Sequence, residues 1–174
     1  MNNIILIGFM GVGKGRTARA LSRVTGRFAI DTDDLIESLT GKKIREIFSG
    51  QGEARFREME RRVAEWIITC VRDTIVSTGG GFFQVEQIRR MGQVVYLHAE
   101  VEQILERLLS YPGAEKEVKK RPLLKDIDKA RDLFQKRLPR YRAVADFEVD
   151  VAEKEPETIA RQVWQLIQDN QWSS

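Results

Sequence analysis

The sequence predicts an α/β fold in which helices cover both faces of a parallel sheet, and two observations support this. Short apolar runs alternate along the chain with longer segments of helical periodicity, the pattern of parallel strands joined by crossover helices. The first apolar run ends in a glycine-rich turn that opens a helix, as in many nucleotide-binding sheets. With 174 residues, the chain is expected to form one domain around a single core.

The alternation predicts the individual elements in order. Strands are expected at 4–7, 28–31, 74–77, 94–97 and 147–151. Helices are expected at 16–24, 53–70, 101–109, 128–141 and 156–169. Pro156 suits the first turn of the last helix, because the N–H that proline lacks has no partner there.

Composition and charge limit the function classes. Hydrophobic residues make up 42% and charged residues 32% of the chain, and no apolar run approaches the roughly 20 residues that cross a bilayer. The first strand begins almost at the N-terminus and leaves no room for a secretory signal, so a cytoplasmic protein is expected. The net charge is +3, but basic and acidic residues are interleaved, which argues against nucleic acid and fits a small anionic substrate.

Cys70 is the only cysteine of the chain. Neither a disulfide framework nor a thiolate metal site is therefore expected. Its apolar neighbours predict a buried, inert thiol. Chemistry is better sought after the strands, where parallel sheets bind ligands.

A phosphate-binding loop follows the first strand. Residues 8–14 read Gly-Phe-Met-Gly-Val-Gly-Lys, and the glycines let backbone N–H groups turn inward around a phosphate at a helix N-terminus. The Lys14 ammonium would reach the outer phosphates. Nucleotide binding is therefore predicted for Gly11, Val12, Gly13, Lys14, Gly15 and Arg16.

Gly15 departs from the usual pattern of this loop. The residue after the lysine is normally Ser or Thr, whose oxygen completes the octahedral shell of Mg²⁺. Arg16 and Thr17 follow Gly15, and no shift of register restores the hydroxyl. ATP and Mg²⁺ are still the expected cofactors, but the lost ligand should cost about 1–3 kcal/mol, or about ten- to a hundredfold in rate or metal affinity.

A run of carboxylates, Asp31-Thr32-Asp33-Asp34, follows the second strand. It stands at the carboxyl edge of the sheet, opposite the phosphate loop. Asp31 could hold Mg²⁺ through water, and Asp33 could accept a proton from an attacking hydroxyl. The alternative is that Asp33 or Asp34 caps a following helix, but the upstream loop favours the chemical interpretation.

Three consecutive glycines, Gly79, Gly80 and Gly81, follow the third strand. Such a run is costly in chain entropy and indicates close approach of the backbone to a ligand, whose carboxylate the amides could bind. A tight turn that merely needs positive φ is the alternative.

Arginines supply the remaining candidates. Arg57 precedes Glu60 by three residues, so the two share a helix face and the carboxylate can orient the guanidinium for bidentate binding of an anion. Arg137, with Tyr141 one turn later, and Arg121 also stand out. Taken singly, an arginine is more often a solvated surface residue.

The segment 110–125 does not fit the alternation of strands and helices. It contains two prolines, one glycine and many charged residues, with little apolar material to bury. In a phosphate-transferring enzyme such an arm is a candidate lid, which excludes water and brings a cation onto the transferring group. From composition alone, a solvated surface loop is the favoured interpretation.

Six motifs in order resemble those of shikimate kinases, a family of P-loop kinases similar to nucleoside monophosphate kinases. They are Gly-Phe-Met-Gly-Val-Gly-Lys at 8–14, Asp-Thr-Asp at 31–33, Phe-Arg-x-x-Glu at 56–60, Gly-Gly-Gly at 79–81, Arg-Pro-Leu-Leu at 121–124 and Arg-x-x-x-Tyr at 137–141. The resemblance runs from Ile4 to near Val151. It implies a single three-layer domain with a five-stranded parallel sheet of order 2-3-1-4-5, shikimate-binding helices within 33–62 and a lid at 110–125.

The resemblance also implies a reaction, the transfer of the γ-phosphoryl group of ATP to the 3-hydroxyl of shikimate by a monomeric enzyme of aromatic amino acid synthesis. Lys14 would bind the β- and γ-phosphates, and Asp33 would act as base on the accepting hydroxyl. Arg121 would bring positive charge to the transferring group with the lid. The shikimate carboxylate would be held by Arg57, Arg137, Gly79, Gly80 and Gly81.

The chain differs from the family pattern at two places. Gly15 and Arg16 stand where the family has Ser or Thr. The stretch between Arg107, the expected end of a helix, and Arg121 is longer than the family's lid, which leaves the adenine-contacting arginine unplaced. Two other functions stay open: a weakly active homologue that binds shikimate or nucleotide, and a P-loop kinase of another small hydroxy acid such as gluconate.

Overall fold

A computed structural model describes residues 2–110 and 126–172 of the chain. In this part of the chain five strands form one sheet: β1 (Asn3–Ile7), β2 (Ala29–Asp31), β3 (Ile75–Ser77), β4 (Gly92–His98) and β5 (Phe147–Asp150). Every neighbouring pair is parallel, and the strand order is β2-β3-β1-β4-β5. The predicted sheet and its order are confirmed.

Helices flank this sheet. They are α1 (Lys14–Thr25), α2 (Thr32–Thr40), α3 (Ile44–Cys70), α4 (Ile88–Met91), α5 (Val101–Leu109), α6 (Ile127–Val144) and α7 (Pro156–Trp172). Helix α1 packs against β2, β3 and α7, whereas α6 packs against β4 and α5. In the described ranges, no helix combines the length and the apolar character needed to cross a membrane.

Helices α2 and α4 were not among the predicted helices, and α3 differs from its predicted range. Helix α2 begins at Thr32 because the side chain of Asp31 caps it, with Oδ1 accepting a hydrogen bond from the N–H of Asp33 at 2.9 Å. The alternative that Asp33 or Asp34 is the cap is therefore wrong. Helix α3 starts well before the predicted residue 53 and is kinked at Gly52, whose φ of 79° and ψ of 171° favour glycine.

The core lies between the sheet and its helices. Strand β1 is buried along its whole length, as expected for a central parallel strand covered on both faces. Tyr96 of β4 and Tyr141 of α6 are fully buried and stacked, with ring centroids 5.0 Å apart. Cys70 is exposed, contrary to prediction, because it ends α3 beyond the buried stripe that includes Ile67.

The sheet topology places the loops that carry the candidate residues. Strand β1 lies between β3 and β4, so the chain crosses to opposite sides of β1 in its two halves. Ligands of open parallel sheets bind at such a switch point, beyond the carboxyl ends of the strands. The phosphate loop after β1, the carboxylates after β2 and the glycines after β3 all lie at this edge.

Candidate active site

Glycines shape the loop after β1. Gly8, Gly11 and Gly13 have φ values of 148°, 82° and 100°. A Cβ added at Gly8 would also lie 2.5 Å from the carbonyl oxygen of Leu97, so only glycine fits there. Gly13 is the N-cap of α1, and the N-terminus of that helix therefore opens into the loop.

Lys14, the first residue of α1, is buried with its ammonium folded over the loop. Nζ donates to the carbonyl oxygens of Gly8 at 2.7 Å and Phe9 at 3.0 Å. A buried ammonium requires such acceptors. Phosphate oxygens would be stronger acceptors because they are charged, so this lysine is placed to exchange loop carbonyls for a nucleotide phosphate.

One cavity of about 670 Å³ joins the phosphate loop to the carboxylates. Its lining includes the predicted residues Gly11, Gly13, Lys14, Gly15, Arg16, Asp31, Asp33, Gly79 and Gly80. The side chain of Val12 is buried, so this residue can offer a nucleotide only its backbone. The structure thus places the phosphate loop opposite the carboxylates and the first two glycines, whereas Arg57, Gly81 and Arg137 do not line this cavity.

Gly15 leaves space at the predicted metal position. An added Cβ would lie 3.7 Å from Nη1 of Arg19 and 3.8 Å from Oγ of Ser77, which are ordinary contacts. The Ser77 hydroxyl donates to Oδ2 of Asp31 at 2.7 Å. An oxygen pair of the kind that Mg²⁺ prefers therefore borders the gap, although the described ranges contain no cluster of three His, Cys, Asp or Glu residues that could hold a metal ion.

Asp33 lies in the first turn of α2 and faces Gly79, the first of the three glycines. Its Oδ1 is buried without a hydrogen-bond partner among the described residues, and a Cβ added at Gly79 would lie 2.7 Å from that oxygen. Burial raises the pKa of Asp33 to about 7, and the carboxylates of Asp31 and Glu60 add to the rise while Lys14 opposes it. A carboxylate with this pKa can take up a proton near neutral pH.

The glycines after β3 permit three separate close approaches. Gly79 leaves room for the Asp33 carboxylate. A Cβ added at Gly80 would lie 3.3 Å from the backbone nitrogen of Met10 in the phosphate loop. A Cβ added at Gly81 would lie 2.7 Å from Nη2 of Arg57. None of the three glycines has positive φ, so the alternative of a turn that merely needs that conformation is wrong.

The carbonyl oxygen of Gly80 anchors α6. It accepts hydrogen bonds from Nη1 of Arg137 at 3.1 Å and from the hydroxyl of Tyr141 at 2.6 Å. The N–H of Gly79 donates to Oγ1 of Thr32 at 3.1 Å, so this amide, one of the three predicted to bind a carboxylate, is engaged by the protein. No sequence pattern indicated a role for Thr32, which is distinguished only by its place between two aspartates.

Arg57 is held by two carboxylates of its own helix. Nη1 donates to Oε2 of Glu60 at 2.6 Å, the pair predicted from their spacing. Nη2 and Nε donate to one oxygen of Glu53 at 2.7 and 3.1 Å, a contact that was not predicted from the sequence. Burial raises the pKa of Glu60, and the Arg57 guanidinium opposes that rise.

Arg107, in the last turn of α5, contacts the phosphate loop. Its Nη2 donates to the carbonyl oxygens of Gly11, at 3.2 Å, and of Val12. The sequence indicated only that a helix ends near this residue. Arg121 and the rest of the predicted lid from 111 onwards lie outside the described residues.

Comparison with known proteins identifies relatives that span the chain. The family model described as shikimate kinase matches residues 10–168. The shikimate kinase of Helicobacter hepaticus is 41% identical over 142 residues, which cover 82% of each chain. That of Thermodesulfovibrio yellowstonii is 35% identical over 170 residues, covering 94% of this chain and 93% of the relative.

Solved structures agree with these relatives. A shikimate kinase from Acinetobacter baumannii in complex with shikimate superposes with a TM-score of 0.84 at 34% identity, covering 98% of this chain and 94% of that one. A gluconokinase from Sinorhizobium meliloti reaches a TM-score of 0.56 at 15% identity, a likeness of fold alone. On the family model and the relatives that cover most of its length, the chain belongs to the shikimate kinase family.

Proposed function

We propose that this chain transfers the γ-phosphoryl group of ATP to the 3-hydroxyl of shikimate, giving shikimate 3-phosphate and ADP. One observation carries the proposal: in a member of the shikimate kinase family, the phosphate loop and Asp33 face each other across one cavity. Phosphoryl transfer depends on positioning and charge stabilisation far more than on covalent help from the protein. A cavity with a phosphate cradle on one side and a base on the other supplies both.

The nucleotide would bind on the loop side of this cavity. The backbone of Gly11, Val12 and Gly13 would surround its phosphates, and Lys14 would exchange its carbonyl acceptors for the β- and γ-phosphate oxygens. Arg16 lines the same cavity and would add positive charge. The role of Arg121 on the transferring group stays a prediction.

Mg²⁺ would bind between the phosphates and the end of β2. Asp31 would hold it through water, and the neighbouring Ser77 oxygen fits the same shell of hard donors. The ion would neutralise charge that develops on the phosphate oxygens. Because Gly15 offers no oxygen, one direct ligand would be replaced by water.

The acceptor would bind between α2, α3, α6 and the glycines. Asp33 would take the proton of the 3-hydroxyl, which its raised pKa allows near neutral pH. The shikimate carboxylate would be held by Arg57 and Arg137, which both contact the Gly79–Gly81 segment, and by the amides of Gly80 and Gly81. The assignment of 33–62 to shikimate binding, the single domain, the monomeric state and the cytoplasmic location stay predictions.

A coupled assay of ADP release with ATP, Mg²⁺ and either shikimate or gluconate tests the proposal. We expect turnover with shikimate alone, and a loss of about 10²- to 10³-fold in kcat for Asp33→Asn, which removes the base. Asp132→Asn, at an exposed position of α6, is the matched control and should stay within about twofold. Binding of shikimate without turnover would favour the weakly active homologue, and turnover on gluconate alone would favour the other kinase.

A further inference from the structure

Glu53 occupies the side edge of the Arg57 guanidinium. One carboxylate oxygen of Glu53 accepts from both Nη2, at 2.7 Å, and Nε, at 3.1 Å. This Nε/Nη2 edge is one of the two edges with which arginine grips a carboxylate in a bidentate pair. Glu53 therefore makes, within the protein, the contact that the proposed substrate carboxylate requires.

Other parts of the protein also contact Nη1, Nη2 and Cζ of the guanidinium. Nη1 donates to Glu60, whose side chain is only 1% exposed. Nη1, Nη2 and Cζ lie against Gly81, where an added Cβ would approach all three atoms more closely than 3.0 Å. Of these two carboxylates, only Glu53 can leave readily, because its side chain is 63% exposed.

We propose that Glu53 is a carboxylate gate on Arg57: its side chain holds the guanidinium edge that the substrate carboxylate takes, and it is displaced when substrate binds. The inference rests on the proposed role of Arg57 in binding the shikimate carboxylate. Glu53 directly follows Gly52, where α3 is kinked, so it stands at the start of the second helical segment. Its release requires only that an exposed side chain rotates into water.

The gate has two physical consequences. Without substrate, it accepts from Nε and Nη2 of a guanidinium that is itself only 19% exposed, so these mostly buried donors are not left without an acceptor. With substrate, it sets a threshold, since a ligand must offer a better acceptor than a solvated glutamate. A carboxylate can meet this threshold and an uncharged ester cannot, so only the anionic acid competes with Glu53 for this edge.

The test measures shikimate binding by isothermal titration calorimetry without nucleotide. Glu53→Gln removes the competing charge, and Glu53→Asp keeps the charge on a side chain too short to chelate the same edge from the preceding turn. Glu58→Gln is the matched control, because Glu58 pairs with Arg55 on the same helix at 2.7 Å. The methyl ester of shikimate serves as the ligand without a carboxylate, and Arg57→Ala tests the underlying role of Arg57.

We expect the dissociation constant for shikimate to fall about three- to tenfold in both Glu53 variants, as an exposed but two-bonded ion pair is removed. Glu58→Gln should leave it within about twofold, and the methyl ester should bind all Glu53 variants alike. Unchanged or weaker shikimate binding in Glu53→Gln would show that Glu53 orients Arg57 and would overturn the gate. Tighter binding in Glu53→Gln but not in Glu53→Asp would mean that Glu53 only repels the shikimate carboxylate. That result would also overturn the gate.

Arg57→Ala separates this inference from the function on which it rests. If Arg57→Ala binds shikimate as tightly as the unmodified protein, Arg57 does not bind the shikimate carboxylate, and the proposed gate is overturned as well. If Arg57→Ala loses binding while the Glu53 variants do not gain it, the role of Arg57 stands and the gate alone is overturned.

Discussion

The two sides of the candidate active site are built in different ways. The phosphate side is one contiguous segment, residues 8–15, whose glycine backbone and single lysine are proposed to bind the phosphates. The acceptor side is assembled from Asp33, Arg57 and Arg137, which lie in three helices and meet at Gly79–Gly81. The contrast teaches that a phosphate cradle can be encoded locally, whereas a pocket for a particular acceptor depends on distant side chains brought together by packing.

The largest effect is expected from a substitution that impairs only the phosphate side. Lys14→Met removes the ammonium that folds over the loop, and we expect kcat to fall about 10³-fold because charge on the outer phosphates is no longer stabilised. Shikimate affinity, measured calorimetrically, should change less than about threefold if the two sides are separate. Lys42→Met, at an exposed position, is the control. A comparable loss of shikimate affinity in Lys14→Met would contradict the separation.

A smaller effect is expected from a substitution that impairs only the acceptor side. Gly81→Ala places a Cβ 2.7 Å from Nη2 of Arg57, so the guanidinium must move, and we expect KM for shikimate to rise about 10- to 100-fold. KM for ATP should stay nearly constant in steady-state assays. Gly50→Ala adds a Cβ with no atom within 4 Å and is the control. Equal rises in both KM values would mean that the glycines couple the two sides.

Restoring the hydroxyl that is missing at Gly15 should strengthen Mg²⁺ binding on the phosphate side. Gly15→Ser restores a hydroxyl without a clash, since its Cβ would have no contact shorter than 3.7 Å. We expect the Mg²⁺ concentration for half-maximal rate to fall about tenfold, because a direct ligand replaces water. Gly15→Ala adds the same Cβ without the oxygen and should leave the Mg²⁺ dependence unchanged. If the serine variant behaves like the alanine variant, the missing hydroxyl does not limit metal binding.

The smallest expected effect concerns the free energy of unfolding, which the buried carboxylate of Asp33 on the acceptor side lowers. The pKa of Asp33 is raised to about 7 in the folded chain, against about 3.9 in an unfolded one. The folded state therefore binds the proton more tightly, and the contribution of Asp33 to stability falls as pH rises from about 4 to 7.

Asp33→Asn should remove this penalty. We expect it to raise the free energy of unfolding by at least about 1 kcal/mol at pH 8, with a smaller gain at pH 5, after allowance for partial solvent screening. Urea denaturation at the two pH values measures the difference. An equal gain at both values would show that the effect of the substitution does not come from ionisation.

Much of the fold was predictable because its signals are local. The β1 run and the glycine-rich loop after it are read from neighbouring residues, and each predicted strand overlaps an observed one. The kink at Gly52 was not predicted, because a single glycine within a helical pattern has no unique local meaning. The true cap of α2 was missed for a related reason, since Asp31, Asp33 and Asp34 are all suitable capping residues.

By itself the sequence determined the strands, the phosphate loop with its missing hydroxyl and the set of residue types needed for phosphoryl transfer. Only the tertiary structure decided how they meet. It put Arg107 on loop carbonyls 95 and 96 residues away and Glu53 on the edge of Arg57. It also showed that the three glycines serve close approach and not a turn. The physical reason is that periodicity and backbone propensity act between near neighbours, whereas contact between distant segments depends on how the sheet and helices pack.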